Sequence, residues 1–305
     1  MAPLVSTVIP AFNNAATIRA AVESALVQDF RDQEIIVVND GSTDATARIL
    51  GEYAGRIRVI EQMNRGVAAA RNAGAKAGSG EYLAFLDADD TWLAGKLTRT
   101  VAALDANREA VLAFSDLIAL EPSGETQTVT TGPAPSMDDL LKSQPRIQVG
   151  TWLMRRNAFE QCGGFCEEFR ACGGEDLYML LRARELGEFV YVATPLLFYR
   201  APAWPAVAGK YSLARRPLIA ILRSRYGERS RILRRDLKRL YASSHLQRAL
   251  EQIDRREIRG AAISLIRSIC CDPLFVFQCV GLERAFSSRN LARLRRLVPR
   301  ARHDA

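Results

Sequence analysis

The chain has 305 residues, 48% hydrophobic and 25% charged, enough to bury a sizeable core with the balance of a soluble globular protein. Its formal charge of +8 is unevenly spread: residues 200–305 hold 24 Lys and Arg against 8 Asp and Glu, a net of +16, which leaves −8 on residues 1–199. That asymmetry predicts a catalytic body and a second region that meets something anionic. Six cysteines and two distant histidines, His245 and His303, offer neither a four-ligand zinc set nor a secreted disulfide framework. The N-terminus has no basic, then apolar, leader, so the sequence is placed in the cytoplasm, with thiols reduced.

In chain order, Leu4–Ile9 is a β-rich run closed by Pro10, followed by helical spacing at Ile18, Ala21, Val22, Ala25 and Leu26 with an Asn or Thr cap ahead of it. Glu34–Val38 is a second buried strand, ending in the turn-forming Asn39–Asp44, which also supplies caps for a helix running to Leu50 or Tyr53. Ile57–Ile60 is a third strand, Gly66–Ala77 an Ala-rich helix stopped by Gly78-Ser79-Gly80, and Tyr82–Leu86 a strand buried on both faces. Leu97–Leu104 continues as helix, Ala110–Phe114 as strand, and residues 121–148 as a long polar loop. A strand over Thr151–Arg155, a short helix over Asn157–Cys162 and a tight Gly163-Gly164-Phe165 turn follow. A helix opens at Gly173-Gly174-Glu175-Asp176 and stops at Gly187, and strands at Phe189–Val192 and Leu196–Tyr199 finish the body. From about Pro205 the pattern is basic amphipathic helix, with Leu233–Ile253, Ile258–Ile269 and 289–302 as its segments. Arg267, Asp272 and Pro273 interrupt the most apolar stretch, which argues against a spanning helix. No internal repeat is evident.

Strands alternating with helices predict an α/β fold, a mainly parallel sheet flanked by helices (residues 1–204), with an all-helical appendage (205–305). In such sheets ligands bind outside the carboxyl ends of the strands. Three polar clusters fall there: Pro10–Asn14, Asn39–Asp44 and Asp87–Asp90. The last puts three carboxylates within four positions, a group that repels itself unless a cation lies between, and hard divalent cations prefer oxygen. Neither G-x-G-x-x-G nor a P-loop is present, so phosphate has to be held through a metal or arginines.

Six segments, in order, carry a resemblance. They are Val8–Asn13, Val38–Asp44, Asn64-Arg65-Gly66 leading to Ala70-Arg71-Asn72, Asp87-Ala88-Asp89-Asp90, Gly163-Gly164-Phe165 and Gly174-Glu175-Asp176. Over residues 4–200 the chain resembles the family 2 glycosyltransferases of GT-A fold. The resemblance implies a Rossmann-like sheet and inverting transfer of a sugar from a nucleoside-diphosphate sugar, typically UDP-linked, to a glycan or lipid-linked hydroxyl acceptor. It also implies roles. Pro10, Ala11, Phe12 and Asn13 would lie along base and ribose, Asp40 would accept from the base, and Arg71 would approach the base or phosphates. Asp87, with Ala88 beside it, would contact ribose. Asp89 would bind Mg²⁺ or Mn²⁺ on the diphosphate. Asp176 would be the general base, and Gly164, Phe165 and Glu175 would face the acceptor.

Asp40 and Asp176 have a plainer alternative as helix caps, and Arg71 as a solvated helix residue. The sequence departs from the family pattern at Cys166, where relatives carry an acid. It departs again after Tyr199-Arg200, where Ala201-Pro202 replaces the stretch that holds a metal-binding histidine. A binding or scaffold subunit without turnover is the competing function. For residues 205–305 the choice lies between docking on an anionic membrane surface and a solvated helical cover. No nucleic-acid motif accompanies the charge.

Overall fold

The computed structural model describes residues 3–141, 147–169, 174–201, 220–227 and 257–271. Two compact units emerge, Met1–Ala203 with Leu213–Ser230, and Trp204–Ser212 with Arg231–Ala305.

In the first unit β1 (Val5–Ala11), α1 (Ile18–Leu26), β2 (Gln33–Asn39), α2 (Thr46–Gly51), β3 (Arg58–Glu61), α3 (Val67–Ala77) and β4 (Tyr82–Phe85) alternate as the sequence predicts. They lead into β5 (Thr91–Trp92), α4 (Lys96–Ala106), β6 (Ala110–Leu120), β7 (Thr126–Val129), α5 (Met137–Leu141), β8 (Leu153–Arg155), α6 (Arg156–Cys162), α7 (Glu175–Leu186) and β9 (Glu188–Arg200). One sheet has the order β3-β2-β1-β4-β8-β6-β9-β5, with β7 on β6. Strands β1 to β4 are mutually parallel, and β6 runs parallel to β9. β8 is antiparallel to both β4 and β6, so β6 points the same way as β4. The sheet is therefore mainly parallel, and its carboxyl edge gathers the polar clusters.

The two-residue period of the strands sorts the core into two layers. Val5, Ile9, Ile35, Val37, Tyr82 and Ala84 pack with α1, α2 and α4, through Ile18, Val22, Leu50, Leu97 and Val101. Ile36 and Val38 face the other way, onto Ala70 and Ala73 of α3. Phe85 also lies on that side, its ring 5.7 Å from Phe159 of α6 and 5.1 Å from Phe165. Each fully buried aliphatic or aromatic side chain contributes about 1.5–3 kcal/mol.

The structure differs from expectation in four places. β1 runs through Pro10 to Ala11. Its pairing with β4 ends at Val8, where Leu86 N–H donates to Val8 O, while Ala11 O accepts from Asp40 N–H on the β2 side. Pro10 points, like Val8, to the side where no ladder continues, so its missing N–H forfeits no bond. Residues 121–148 are not one loop. They hold β7, hairpinned on β6 through Gly124 at φ 89°, and α5, while 142–146 lie outside the described residues. All of β7 is exposed, so it has no apolar alternation to betray it. β9 is a single strand of 13 residues, with one register shift at its start, between Glu188 and Phe189, and two beside Pro195. The start of α1 has no side-chain cap; Thr17 and Ile18 amides donate instead to the Asn14 carbonyl.

In the second unit, Ile258–Cys271 is helical, as expected for Ile258–Ile269. The expected helices over 233–253 and 289–302 lie outside the described residues. Among the described residues, no helix is long and apolar enough to cross a membrane.

Candidate active site

The first two polar clusters are sewn together. Asn13, exposed and left-handed at φ 55°, donates its amide to Ser42 Oγ at 3.0 Å and accepts the Thr43 amide on Oδ1 at 2.8 Å. Asp44 accepts the Ala15 amide at 3.0 Å and the Thr46 amide at 2.9 Å, so it is Asp44 that serves the start of α2. Asp40, 3% exposed, has another task. Oδ1 accepts from Gln62 Nε2 at 2.7 Å and the Arg65 amide at 2.8 Å, and Oδ2 accepts the Gly66 amide at 2.8 Å. It thus fixes the loop before α3, and Gly41 beside it has no room for a side chain: a Cβ would lie 2.8 Å from Asn64 N. Pro10 and Ala11 are buried within β1, and Phe12 is 45% exposed at the edge.

Five residues beyond Gly66 along α3 stands Arg71, 3% exposed. Its Nη2 donates to Asp87 Oδ1 at 2.6 Å and its Nη1 to Glu175 Oε1 at 3.0 Å, while Phe165 packs under it, 5.2 Å from guanidinium to ring centroid. Nε is buried without a partner. Burial alone would lower the Arg71 pKa; the carboxylates of Asp87 and Glu175 outweigh it and hold the group charged. Glu175, 8% exposed, is pushed upward by burial and by Asp176 against the pull of Arg71. Asp176 is half-exposed, its Oδ1 taking the Leu177 amide at 2.7 Å.

Behind Asp87 the chain alternates in burial: Ala88 is buried, Asp89 exposed and Asp90 buried. Asp90 accepts the Arg200 amide at 2.9 Å, tying the end of β9 to the loop, and its pKa is pushed up to about 8 by burial and by Asp87 and Asp89. It caps no helix.

Sequence reasoning gave Asn72 no role, yet its side-chain amide brackets Phe165: Nδ2 donates to Phe165 O at 2.9 Å and Oδ1 accepts Phe165 N–H at 2.8 Å. Gly164 (φ 74°) must be glycine there, since a Cβ would meet Asn72 Oδ1 at 2.8 Å. Position 72, directly after Arg71 in the matched segment, was the available signal. The structure thus joins Asp87, Arg71, Glu175 and Phe165 directly, and connects Asp40 to them only along α3.

Residues 6–163, more than half of the chain, match the sequence profile described as "Glycosyl transferase family 2". The chain belongs to glycosyl transferase family 2. Among relatives of this family, the uncharacterized glycosyltransferase EpsJ of Bacillus subtilis is 31% identical over 229 residues, covering 68% of this chain and 66% of EpsJ. An uncharacterized glycosyltransferase of Rickettsia prowazekii is 40% identical over 103 residues, 34% of this chain and 32% of that protein. The chain thus spans 66% of the first of these relatives and 32% of the second. In fold it is similar to the crystal structure of S. aureus TarS 1-349, with TM-score 0.55 and 18% identity over 87% of this chain and 90% of that one. The same TarS fragment has also been solved with UDP, at 17% identity and TM-score 0.55.

Among the described residues of this family 2 protein, no three His, Cys, Asp or Glu side chains converge as a ready metal cage. Asp87 pairs with Arg71, Asp90 accepts the Arg200 amide, and Asp89 is the exposed carboxylate of the stretch. One exposed carboxylate fits a Mg²⁺ or Mn²⁺ that arrives with phosphate oxygens and water as its other ligands, not a metal held by protein alone.

Proposed function

We propose that this family 2 glycosyltransferase transfers a sugar from a UDP-linked donor to a hydroxyl of a glycan or lipid-linked acceptor, with inversion. The observation that supports it most is buried Arg71, which joins the carboxylate at the end of β4 to the residue immediately before Asp176. Nucleotide wall and candidate base thereby share one strut. TarS, of similar fold, has been solved with UDP and with UDP-GlcNAc, which favours a uridine nucleotide here.

In this reading the base and ribose lie along Pro10–Asn13, Asp40 fixes the loop beside the base through the Arg65 and Gly66 amides, and Asp87 faces the ribose. Asp89 would hold a divalent cation with the diphosphate, whose charge that cation would neutralise as the nucleoside diphosphate leaves. Asp176, half-exposed at the start of α7, takes the proton of the attacking hydroxyl. Attack opposite the leaving group inverts the anomeric carbon. Gly164 and Phe165, held by Asn72, border the acceptor side. Residues 205–305 carry the excess positive charge and would dock on an anionic membrane surface, bringing a lipid-linked acceptor within reach.

The test is release of UDP from UDP-sugars with Mn²⁺. Asp176→Asn should lower kcat by about 10²–10⁴-fold while UDP still binds. Wild-type turnover in that variant refutes the base, and binding without turnover in the wild-type chain makes it a scaffold. Chelation followed by Mn²⁺ add-back tests the metal. Flotation with anionic vesicles at low salt tests docking, which fails if the protein stays out of the lipid fraction.

A further inference from the structure

The resemblance assigns Arg71 to the donor and Glu175 to the acceptor. The geometry points elsewhere: we propose that Glu175 is a positioning residue, which through Arg71 fixes the first turn of α7, and with it Asp176, against the Asp87 wall of the donor site.

Both terminal nitrogens of Arg71 are committed, one to Asp87 and one to Glu175, and the residue is 3% exposed. A donor has no access to it in this arrangement. Glu175 is 8% exposed, its Oε1 on Arg71, so an acceptor hydroxyl does not meet it either. What the pair does is structural geometry of a particular kind. α7 begins after Gly174 in the left-handed region, at φ 100°, and no side chain caps it. The planar guanidinium fork gives that first turn a rigid link to the Asp87 loop. The link spans 104 residues of sequence on one arm and 16 on the other. Phe165 under the guanidinium, itself bracketed by Asn72, keeps the fork from sliding. Glu175 and Asp176 are adjacent in sequence, so any movement of the first carries the second.

This rests on Asp176 being the general base, and the experiment separates the two. The probes are UDP for affinity and UDP-N-acetylglucosamine with Mn²⁺ for release of UDP to water, a turnover that needs no glycan acceptor. Glu175→Gln in the full chain should lower kcat for that release about 100-fold, the scale expected of an ångström-level misplacement. KM and the UDP Kd should stay within about threefold, because the ground-state donor contacts are intact. Glu175→Asp keeps the charge, one methylene short, and should lose kcat in the same direction. It carries the test if the Gln variant does not fold. Unchanged turnover in either folded variant overturns the proposal, as expected if Glu175 served only the acceptor. A UDP Kd weakened about tenfold or more with kcat preserved overturns it as well, in favour of a donor-binding role. Wild-type release by Asp176→Asn would instead overturn the base itself.

Discussion

Lys96 is the sharpest test of the packing around this site. It opens α4, is 0% exposed, and among the described residues has no carboxylate partner; Nζ donates to the carbonyls of Thr151 at 2.8 Å and Trp152 at 3.1 Å. Trp92, 5.8 Å away, donates to the neighbouring Gly150 carbonyl at 2.9 Å. Together these two side chains anchor the turn before β8 to the segment following Asp90. Burial lowers the Lys96 pKa from 10.5 to about 7. At about 1.4 kcal/mol per unit, the buried ammonium costs on the order of 5 kcal/mol relative to the unfolded chain. Between the folded and unfolded pKa values the unfolded chain carries the proton and the folded chain does not, so stability rises with pH across about 7 to 10.5. Below that window the cost is complete, and above it the cost is gone. Lys96→Met removes the titration and, at every pH, loses the donor to two carbonyls. The difference in unfolding free energy between wild type and variant, from urea titrations, should therefore move toward the variant by about 3–4 kcal/mol on going from pH 9.5 to 6.5. A difference constant to within about 1 kcal/mol over that range would refute the desolvated lysine.

Other outcomes follow from close contacts. Gly74→Ala would place a Cβ 2.3 Å from Val8 Cγ1. Helix propensity favours alanine by about 1 kcal/mol, but overpacking costs about 1–3 kcal/mol, so net loss of stability by urea unfolding is expected, with weaker UDP binding as α3 lifts and carries Arg71 with it. Asn72→Asp keeps the acceptor for the Phe165 amide but faces the Phe165 carbonyl and Glu167 with a carboxylate, and should cost about 1–3 kcal/mol above pH 5, recovering as pH falls and the new acid protonates.

Much of the site was legible before any coordinates. The strand ends bearing Asn13, Asp40 and Asp87 were placed together by the rule for parallel sheets, and the helix beginning at Glu175 was read from its glycine and acids. The sequence singles out Asp40 and Arg71, and the structure supplies their partners, the loop before α3 for Asp40 and the carboxylates of Asp87 and Glu175 for Arg71. The alternative that Asp40 caps the following helix fails because both its oxygens serve the loop before α3, while Asp44 takes the amide of Thr46 at the start of α2. Arg71 is no solvated helix residue; it is 3% exposed on α3, and Asn72 beside it holds Phe165.

By itself the sequence determined the alternation of strands and helices from β1 to β4, their two faces and the acidic strand end, because a period of 2 or 3.6 and a glycine or carboxylate at a boundary are local and act within a few residues. β7 escaped for the same reason, having no buried face to impose a pattern. Only the tertiary structure decided which carboxylates meet Arg71. Two layers had to close on the sheet before residues 16 and 104 positions away could reach one guanidinium, and a buried charge accepts whatever counter-charge that packing delivers.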